Sequence, residues 1–510
     1  MPELVLAIDA GTTGITALVL DGDGTERGRS YSEFAQHYPR PGWVEHDAEE
    51  IWTTALEVTS GALYNAGVLA RDVAAIGITN QRETTVVWDR ATSDPVAPAI
   101  VWQCRRTAAI CERLKAEGLE SELRARTGLV VDPYFSATKV MWYLEELDGL
   151  RRRAESGDLA FGTVDTWLIW KLTAGAVHAT EPSNASRTML YSLAERTWDP
   201  WILDRLGVSA SLLPQIVASS GRFGETASDL LGASVPISGI AGDQQAALFG
   251  QACFETGMAK NTYGTGSFVL MNTGGDVPSS THGLLSTAAW DAGDGVRYAL
   301  EGSIFITGAA VQWLRDGLQI IARASDAEPL ASSVTDSGGT FLVPAFVGLG
   351  APHWDPYARG AYLGITQGTS KAHLARAAVE AMAYQTRDVV EAMEADSGVK
   401  LAELRVDGGA SVMDLLCQFQ ADQLGTVVRR PANLETTALG AAYLAGLAEG
   451  VWSSTEDIAG SWAAAAEFEP RMSQDEADAR HERWKEAVRR AREWEGAVSF
   501  TSDRGKRPRS

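Results

Sequence analysis

The sequence has few cysteines and no long hydrophobic run. Its 510 residues include only four cysteines, Cys104, Cys111, Cys253 and Cys417. They are too few and too scattered for a disulfide framework or a zinc site, so buried thiols are the favoured interpretation. No apolar run reaches the length of a membrane-spanning helix, and no basic segment with a cleavage site opens the chain. These absences favour a cytoplasmic protein without stable membrane insertion.

Positive charge is scarce relative to negative charge. Acidic residues outnumber basic ones by 66 to 44, which gives a formal net charge of −22. This excess disfavours general binding to nucleic acid or to anionic membranes, although a local site can still bind anions. The exception is residues 499–510, where Arg504, Lys506, Arg507 and Arg509 predict a disordered basic tail, which is favoured over an anion-binding segment.

The length and the order of the apolar segments predict two domains. A chain of 510 residues is too long for one core. Short apolar runs that resemble strands, such as residues 4–8 and 73–79, alternate with helical segments, and the second half repeats this order. The pattern predicts an α/β fold with domains at residues 1–250 and 251–498.

Two helix predictions depend on short sequence patterns. Asp47 with Glu50 three residues later resembles a capping box, so a helix should begin near Ala48. Close to the end of the chain, apolar residues at a spacing of 3.6 predict one face of a helix. These residues are Trp484, Ala487, Val488, Ala491 and Trp494.

A loop rich in glycine and threonine occurs once in each half of the chain. The first follows an apolar run and contains Asp9, Gly11, Thr12 and Thr13; the second is residues 261–267, with Thr265 at its centre. Backbone N–H groups and hydroxyls in such turns bind anions, and Asp9 is placed to hold a hydrated Mg²⁺. Alone, either loop could be an ordinary tight turn and Asp9 a turn residue. As a pair, the loops predict a nucleotide triphosphate bound from both sides.

Longer motifs between these loops resemble a known family. In chain order they are residues 41–47 (PGWVEHD), 80–85 (NQRETT), 99–106 (AIVWQCRR), 132–136 (DPYFS), 162–167 (GTVDTW), 184–188 (NASRT), 242–245 (GDQQ), 261–267 (NTYGTGS) and 350–356 (GAPHWDP). Together they resemble the glycerol kinases of the FGGY carbohydrate-kinase family over residues 4–496. The resemblance implies two actin-like, ribonuclease-H-like ATPase domains around a central cleft that closes on ATP and a polyol.

The resemblance also implies a role for each site residue. The polyol would be bound by Arg82, Glu83, Trp102, Tyr134, Asp243, Gln244 and Phe268, and the nucleotide by Gly11, Thr12, Thr13, Thr265, Gly308, Gln312 and Gly409. Asp243 would accept the proton of the attacking hydroxyl, and Asp9 would hold Mg²⁺.

Each role has a plainer alternative. Arg82 and Glu83 could form a surface charge pair, and Trp102, Tyr134 and Phe268 could belong to the core. Asp243 could be a helix N-cap, Gln312 an exposed helix residue, and Gly308 and Gly409 turn or packing glycines.

Some residues depart from the family pattern. Thr16 stands where glycerol kinases usually have an arginine that reaches the ATP phosphates, which predicts a weaker or differently tuned kinase. Met413 stands where the family often has an asparagine near the adenine. Residues 232–234 lack the arginine of the fructose-bisphosphate loop, and no histidine lies between Ser219 and Val235 where some relatives are phosphorylated. Neither regulatory mechanism is expected here.

The predicted reaction is ATP plus glycerol giving ADP plus sn-glycerol 3-phosphate by direct in-line transfer. Three alternatives remain: a kinase for another small polyol or a ketose, a polyol-binding paralogue with little turnover, and an actin-like ATPase that polymerises. The resemblance also leads us to expect a homo-oligomer, either a dimer or a tetramer.

Overall fold

The computed structural model describes residues 3–495 and contains two mixed β-sheets with helices packed on them. The predicted basic tail, residues 499–510, lies outside the described residues. Within residues 3–495, no helix combines the length and the apolar character needed to cross a membrane. The four cysteines are free and buried, as predicted.

The first half of the chain extends to Gly250. Its strands are β1 (Leu4–Ala10), β2 (Gly14–Leu20), β3 (Glu26–Glu33), β4 (Glu45–His46), β5 (Val73–Asn80), β6 (Val86–Asp89), β7 (Ala99–Ile100), β8 (Leu159–Gly162), β9 (Ala179–Thr180), β10 (Tyr191–Ser192), β11 (Thr197–Trp198), β12 (Gln215–Ile216), β13 (Ser220–Glu225) and β14 (Pro236–Gly242). Its helices are α1 (Ala48–Ala66), α2 (Ala108–Ala116), α3 (Glu120–Thr127), α4 (Ser136–Glu146), α5 (Leu150–Glu155), α6 (Val164–Leu172), α7 (Pro182–Ala185), α8 (Pro200–Leu206), α9 (Ser228–Leu231) and α10 (Asp243–Gly250), with 3₁₀ turns at Ala70–Asp72 and Ala210–Leu212.

The second half has fewer strands and longer helices. Its strands are β15 (Met258–Tyr263), β16 (Ser267–Gly274), β17 (Leu285–Asp291), β18 (Val296–Ile304), β19 (Phe341–Val343), β20 (Ala361–Leu363), β21 (Glu403–Asp407), β22 (Val428–Pro431) and β23 (Ala464–Phe468). Its helices are α11 (Gly308–Asp316), α12 (Ala327–Ala331), α13 (Lys371–Ser397), α14 (Asp414–Leu424), α15 (Thr436–Ala448), α16 (Thr455–Ser461) and α17 (Gln474–Ala491), with 3₁₀ turns at Ala324–Asp326 and Gly409–Val412.

The two main sheets share one topology. The first has the order β13-β14-β5-β1-β2-β3, and the second β17-β18-β16-β15-β21-β22-β23. In each, a hairpin (β1–β2 or β15–β16) leads into parallel pairing with later strands, β5 and β14 in the first sheet and β21 and β22 in the second. Both predicted phosphate loops therefore occupy the same place, the turn of the first hairpin of each sheet. This arrangement confirms the predicted α/β fold.

Two helices pack against each other between the sheets. α15 comes from the second half but packs on β1, β5 and β14 of the first sheet, whereas α10 of the first half contacts β15, β16 and β17 of the second. Glycines allow this close approach: a Cβ at Gly250 would lie 1.9 Å from the carbonyl oxygen of Thr436, and one at Gly440 would lie 1.8 Å from that of Ala246. Helix–helix contact at backbone distance thus joins the two halves.

The helix predicted near Ala48 is present, whereas two details predicted at helix ends are wrong. Asp47 caps α1 by accepting from the N–H groups of Glu49 and Glu50, as predicted. The capping box is wrong, because the Glu50 carboxylate accepts from the N–H of Ala35 instead. The placement of Trp494 on the apolar face of this helix is also wrong. α17 ends at Ala491, and Trp494 lies beyond it with 68% of its surface exposed.

We predict that Gly440→Ala destabilises the protein by about 1–3 kcal/mol, because the new methyl group overlaps the backbone of α10 and the helices must move apart. The matched control is Gly460→Ala, since Gly460 is an exposed helical glycine with open space around its Cα. That change should be neutral or stabilise by up to about 1 kcal/mol. Chemical denaturation of both variants measures the difference. Equal stability of the two would contradict the close packing.

Candidate active site

The first phosphate loop is anchored from several directions. It connects β1 to β2 and contains Gly11, Thr12 and Thr13. The indole N–H of Trp102 donates to the Thr12 hydroxyl at 2.9 Å, and the side-chain amide of Gln36 donates to the Thr12 carbonyl at 3.0 Å. The loop conformation is therefore fixed by side chains that are distant in the sequence.

The second phosphate loop is held by the segment that opens α11. The N–H of Gly308 donates to the Gly264 carbonyl at 3.0 Å, and a Cβ at Gly308 would lie 2.4 Å from that oxygen. Close backbone packing, the plainer alternative, thus accounts for a glycine at this position. Thr265 and Gln312 are exposed on the same side of the fold.

Gly409 differs from Gly308, because no close packing requires a glycine at position 409. It opens the 3₁₀ turn after β21, and a Cβ there would meet no atom within 4 Å. Its neighbour Gly408 has a φ of 83° and lies against the backbone of Tyr263, so the turn itself depends on Gly408. The exposed backbone at Gly409 is therefore open to a ligand. Met413, a few residues further on, is buried in the core of the second half.

Asp9 lies on β1, directly opposite Thr16 of β2. Burial, followed by the nearby negative charges of Asp243 and Glu435, raises the pKa of its carboxyl to about 7, while Arg29 opposes this shift. None of the ion pairs among residues 3–495 involves Asp9. A half-buried carboxylate without a cationic partner is suited to a metal ion. Over the same residues, no group of three or more acidic, histidine or cysteine side chains could hold a metal alone.

Arg82 is the centre of a buried polar cluster. It follows β5, and its guanidinium contacts side chains from both halves of the chain. Nε lies 3.1 Å from Oδ1 of Asp243, and the two terminal nitrogens donate to the Glu301 carboxylate at 2.5 and 3.2 Å. A weaker bond of 3.4 Å reaches the Tyr134 hydroxyl. Arg82 is thus a core residue, not half of a surface charge pair.

Glu301 and Arg187 complete this cluster, and sequence reasoning did not select them. Arg187 donates to Glu83 at 2.7 Å and to Glu301 at 3.1 Å, and all three side chains are buried. Burial alone would raise the pKa of Glu301, but Arg187 and Arg82 outweigh it and lower that pKa to about 2. For Glu83, burial exceeds the effect of the same arginines, so its pKa is raised.

A signal for Glu301 was present in the sequence. It is the one charged residue inside the otherwise apolar and small run from Tyr298 to Ile306. A single charge within a buried strand requires a partner. The sequence could not identify that partner, because Arg82 and Arg187 are more than a hundred positions away.

Aromatic rings form one wall of the cluster. The rings of Trp102 and Tyr134 meet edge to face with centroids 5.6 Å apart. The Arg82 guanidinium lies 5.9 Å from the centroid of Phe268, which comes from β16 of the second half. All three aromatic residues are partly buried and pack against the edges of apolar core clusters. Part of each ring therefore belongs to the core, and only its exposed part is open to a ligand.

Asp243 is the first residue of α10, and Gly242 occupies the N-cap position. Its Oδ1 accepts from the N–H of Gln244 at 2.7 Å and faces Arg82. The following residue, Gln244, is half-buried, and its carboxamide oxygen accepts from Lys260 of β15. The polyol residues named from the sequence are therefore gathered at one place, whereas Thr265, Gly308, Gln312 and Gly409 lie around the second loop and its neighbouring turn.

Comparisons with known proteins match both halves of the chain to one family. Residues 4–250 match the N-terminal domain of the FGGY family of carbohydrate kinases, and residues 259–449 match its C-terminal domain. A glycerol kinase of Carboxydothermus hydrogenoformans is 58% identical over 494 residues, 97% of this chain and 99% of that protein. A glycerol kinase of Deinococcus radiodurans is 59% identical over 494 residues, covering 97% of this chain and 98% of that protein.

A solved structure gives the same result for the fold. The crystal structure of Plasmodium falciparum glycerol kinase with ADP superimposes with a TM-score of 0.92 at 33% identity, covering 98% of this chain and 99% of that one. The fold is therefore the two-domain, actin-like and ribonuclease-H-like architecture that the sequence motifs implied.

We predict that Glu301→Ala lowers the free energy of unfolding by about 3–5 kcal/mol, because it leaves two buried guanidinium groups without their shared carboxylate. Glu145→Ala is the matched control: Glu145 pairs with Arg113 at 2.6 Å on the exposed surface. Its removal should cost about 1 kcal/mol or less. Urea unfolding of both variants gives the comparison. If Glu301→Ala lowers the free energy of unfolding by no more than the control does, water must hydrate the two guanidinium groups, and the prediction fails.

Proposed function

The chain belongs to the FGGY family of carbohydrate kinases, and we propose that it transfers the γ-phosphoryl group of ATP to glycerol. One observation carries the proposal: the Trp102 indole packs edge to face on Tyr134 of the polar cluster and also donates to Thr12 of the first phosphate loop at 2.9 Å. A small alcohol beside Trp102 would thus lie next to bound phosphates. The glycerol kinases that share 58–59% of their residues with this chain support the choice of substrate.

The pocket suits a short triol. The Arg82 nitrogen that makes only long bonds, of 3.2 Å to Glu301 and 3.4 Å to Tyr134, would offer a donor. Glu83 and Asp243 would offer acceptors. Trp102, Tyr134 and Phe268 would limit the length of the carbon chain. A site with many fixed polar groups discriminates strongly, because a substrate that lacks a hydroxyl leaves a buried group without a partner.

Asp243 is the proposed general base. Its Oδ1 already accepts from Gln244 and faces Arg82, whereas Oδ2 has no hydrogen-bond partner in the part of the chain that the structure describes. Oδ2 is therefore available for the proton of the substrate hydroxyl. As the hydroxyl oxygen bonds to the γ-phosphorus, its proton passes to Asp243 and the bond to the β-phosphate oxygen breaks, releasing ADP.

The nucleotide side relies on backbone groups and one carboxylate. Residues 11–13 and 264–266 would bind the phosphates, and the open backbone at Gly409 would accept the nucleoside. Asp9 fits Mg²⁺ because it has no cationic partner among residues 3–495 and Mg²⁺ takes few protein ligands. When bound there, Mg²⁺ would neutralise charge on the transferring phosphoryl group.

We predict that Asp243→Asn lowers kcat for glycerol by about 10²–10⁴-fold, since the amide cannot accept the proton. Coupled ADP release measures this, with glycerol compared against erythritol, xylulose and no substrate. Asp229→Asn, an exposed position on α9, is the control and should match the wild type. Turnover on a longer polyol or a ketose, in place of glycerol, would mean that this compound is the substrate. Glycerol binding without ADP release would support the low-turnover paralogue.

We further predict that Thr16→Arg raises the rate by roughly tenfold to a hundredfold, because a charged hydrogen bond to phosphate contributes about 1.5–3 kcal/mol. Thr16 lies opposite Asp9, so a longer side chain there faces the first phosphate loop. Thr53→Arg, on the exposed surface of α1, controls for added charge. The same ADP assay at varied ATP concentrations separates a change in KM from one in kcat. A slower enzyme would show that the arginine pairs with Asp9 instead.

Three further expectations stay predictions: the domain boundary near residue 250, a cytoplasmic location, and a homodimer or homotetramer. Light scattering after gel filtration, with and without ATP, measures the assembly. The same experiment detects filaments, which would favour the polymerising actin-like ATPase.

A further inference from the structure

Lys260 is a fully buried lysine beside the candidate active site. Its ammonium group donates to the carboxamide oxygen of Gln244 and, at 2.9 Å, to the hydroxyl of Thr262. No carboxylate lies within ion-pair distance of it among residues 3–495. A buried cation held by neutral oxygens costs free energy that a methionine or leucine would avoid. Stability alone therefore does not explain a lysine at this position.

The strand register places Lys260 under the substrate pocket. It pairs with Leu270 of β16, which pairs in turn with Glu301 of β18, so all three side chains lie on one face of the second sheet. Thr262 and its partner Phe268 form the next row on that face. α10 contacts these strands, and Gln244 is its second residue. Lys260 thus connects the second sheet to the helix that carries Asp243.

The contact fixes the orientation of the Gln244 side chain. A carboxamide has an acceptor oxygen and a donor nitrogen, and its flip is set by its partners. Lys260 can only donate, so the oxygen of Gln244 must face it. The Gln244 Nε2 group then points away from the sheet, and among the described residues it has no hydrogen-bond partner. Since the side chain is half-buried, these two N–H donors remain available to a ligand.

We propose that Lys260 is a positioning residue that makes Gln244 a hydrogen-bond donor to a polyol hydroxyl, so that this hydroxyl must donate its own proton elsewhere. The adjacent acceptor on α10 is the carboxylate of Asp243, whose Oδ2 has no hydrogen-bond partner among the described residues. The proposal rests on the proposed glycerol kinase function. It assigns Lys260 an effect on polyol binding and geometry, exerted through Gln244, and no contact with the phosphates.

The test is a double-mutant cycle in the ADP-release assay. Lys260→Met should raise the KM for glycerol by roughly tenfold, the effect of losing one oriented hydrogen bond, with the KM for ATP unchanged. Gln244→Ala should do the same. The double variant should be no worse than Gln244→Ala alone, because one residue acts through the other. Lys400→Met, an exposed lysine, is the control and should behave as the wild type.

A thermal melt of each variant separates positioning from folding. Lys260→Met should keep or raise the melting temperature, since it removes a buried charge. If it fails to fold, Gln244→Glu carries the test: it keeps Lys260 paired, removes the N–H donors, and should still raise the glycerol KM about tenfold. An unchanged glycerol KM in either variant would overturn the proposal.

Two other outcomes are equally informative. A fall in kcat at constant glycerol KM, with additive losses in the double variant, would overturn the proposal in favour of direct contact with the phosphoryl group. This result and an unchanged glycerol KM both leave the glycerol kinase function intact, because the wild type is assayed alongside. Absence of glycerol turnover by the wild type would instead overturn the function and this inference together.

Discussion

The pairing of Arg82 with Glu301 is the interaction on which the rest of the site depends. The arginine follows a strand of the first sheet and the glutamate lies in a strand of the second, and both are buried. A guanidinium cannot remain charged in a core without such a partner. The pocket therefore exists only when the two halves are docked, and the glycine contacts between α10 and α15 fix that docking at backbone distance. The docking of the two halves is therefore required for the fold and for the site alike.

Much of the fold could be read from the sequence, because apolar runs and glycine turns are local signals. The strands predicted at residues 4–8 and 73–79 became β1 and β5, each slightly longer. The errors lie where a tertiary contact replaced a local one: Glu50 caps the backbone of Ala35, and the chain leaves α17 before Trp494. Local patterns cannot show which of two possible partners a side chain takes.

The residues of the candidate site also fall into two groups, those that the sequence could predict and those that it could not. Arg82, Tyr134 and Asp243 belong to motifs with a recognisable order, and the structure brings them into one cluster of contacting side chains. Glu301 and Lys260 belong to no such motif, and they reach the pocket because strand register aligns them across β15, β16 and β18. Register depends on the pairing of distant strands, so one sequence without its structure cannot supply it.

Charge is distributed unevenly across the cleft, and this bears on how the proposed reaction would proceed. On the polyol side, Arg82 and Arg187 are both committed to buried carboxylates. On the phosphate side, Arg29 is paired with Glu435 at 2.6 Å, and Thr16 brings no charge to the first loop. Arg29 is therefore not free to neutralise a triphosphate. We propose that backbone N–H groups and a cation at Asp9 would do so instead. Burial, Asp243 and Glu435 together raise the pKa of Asp9 to about 7, and a positive charge bound there would offset all three effects.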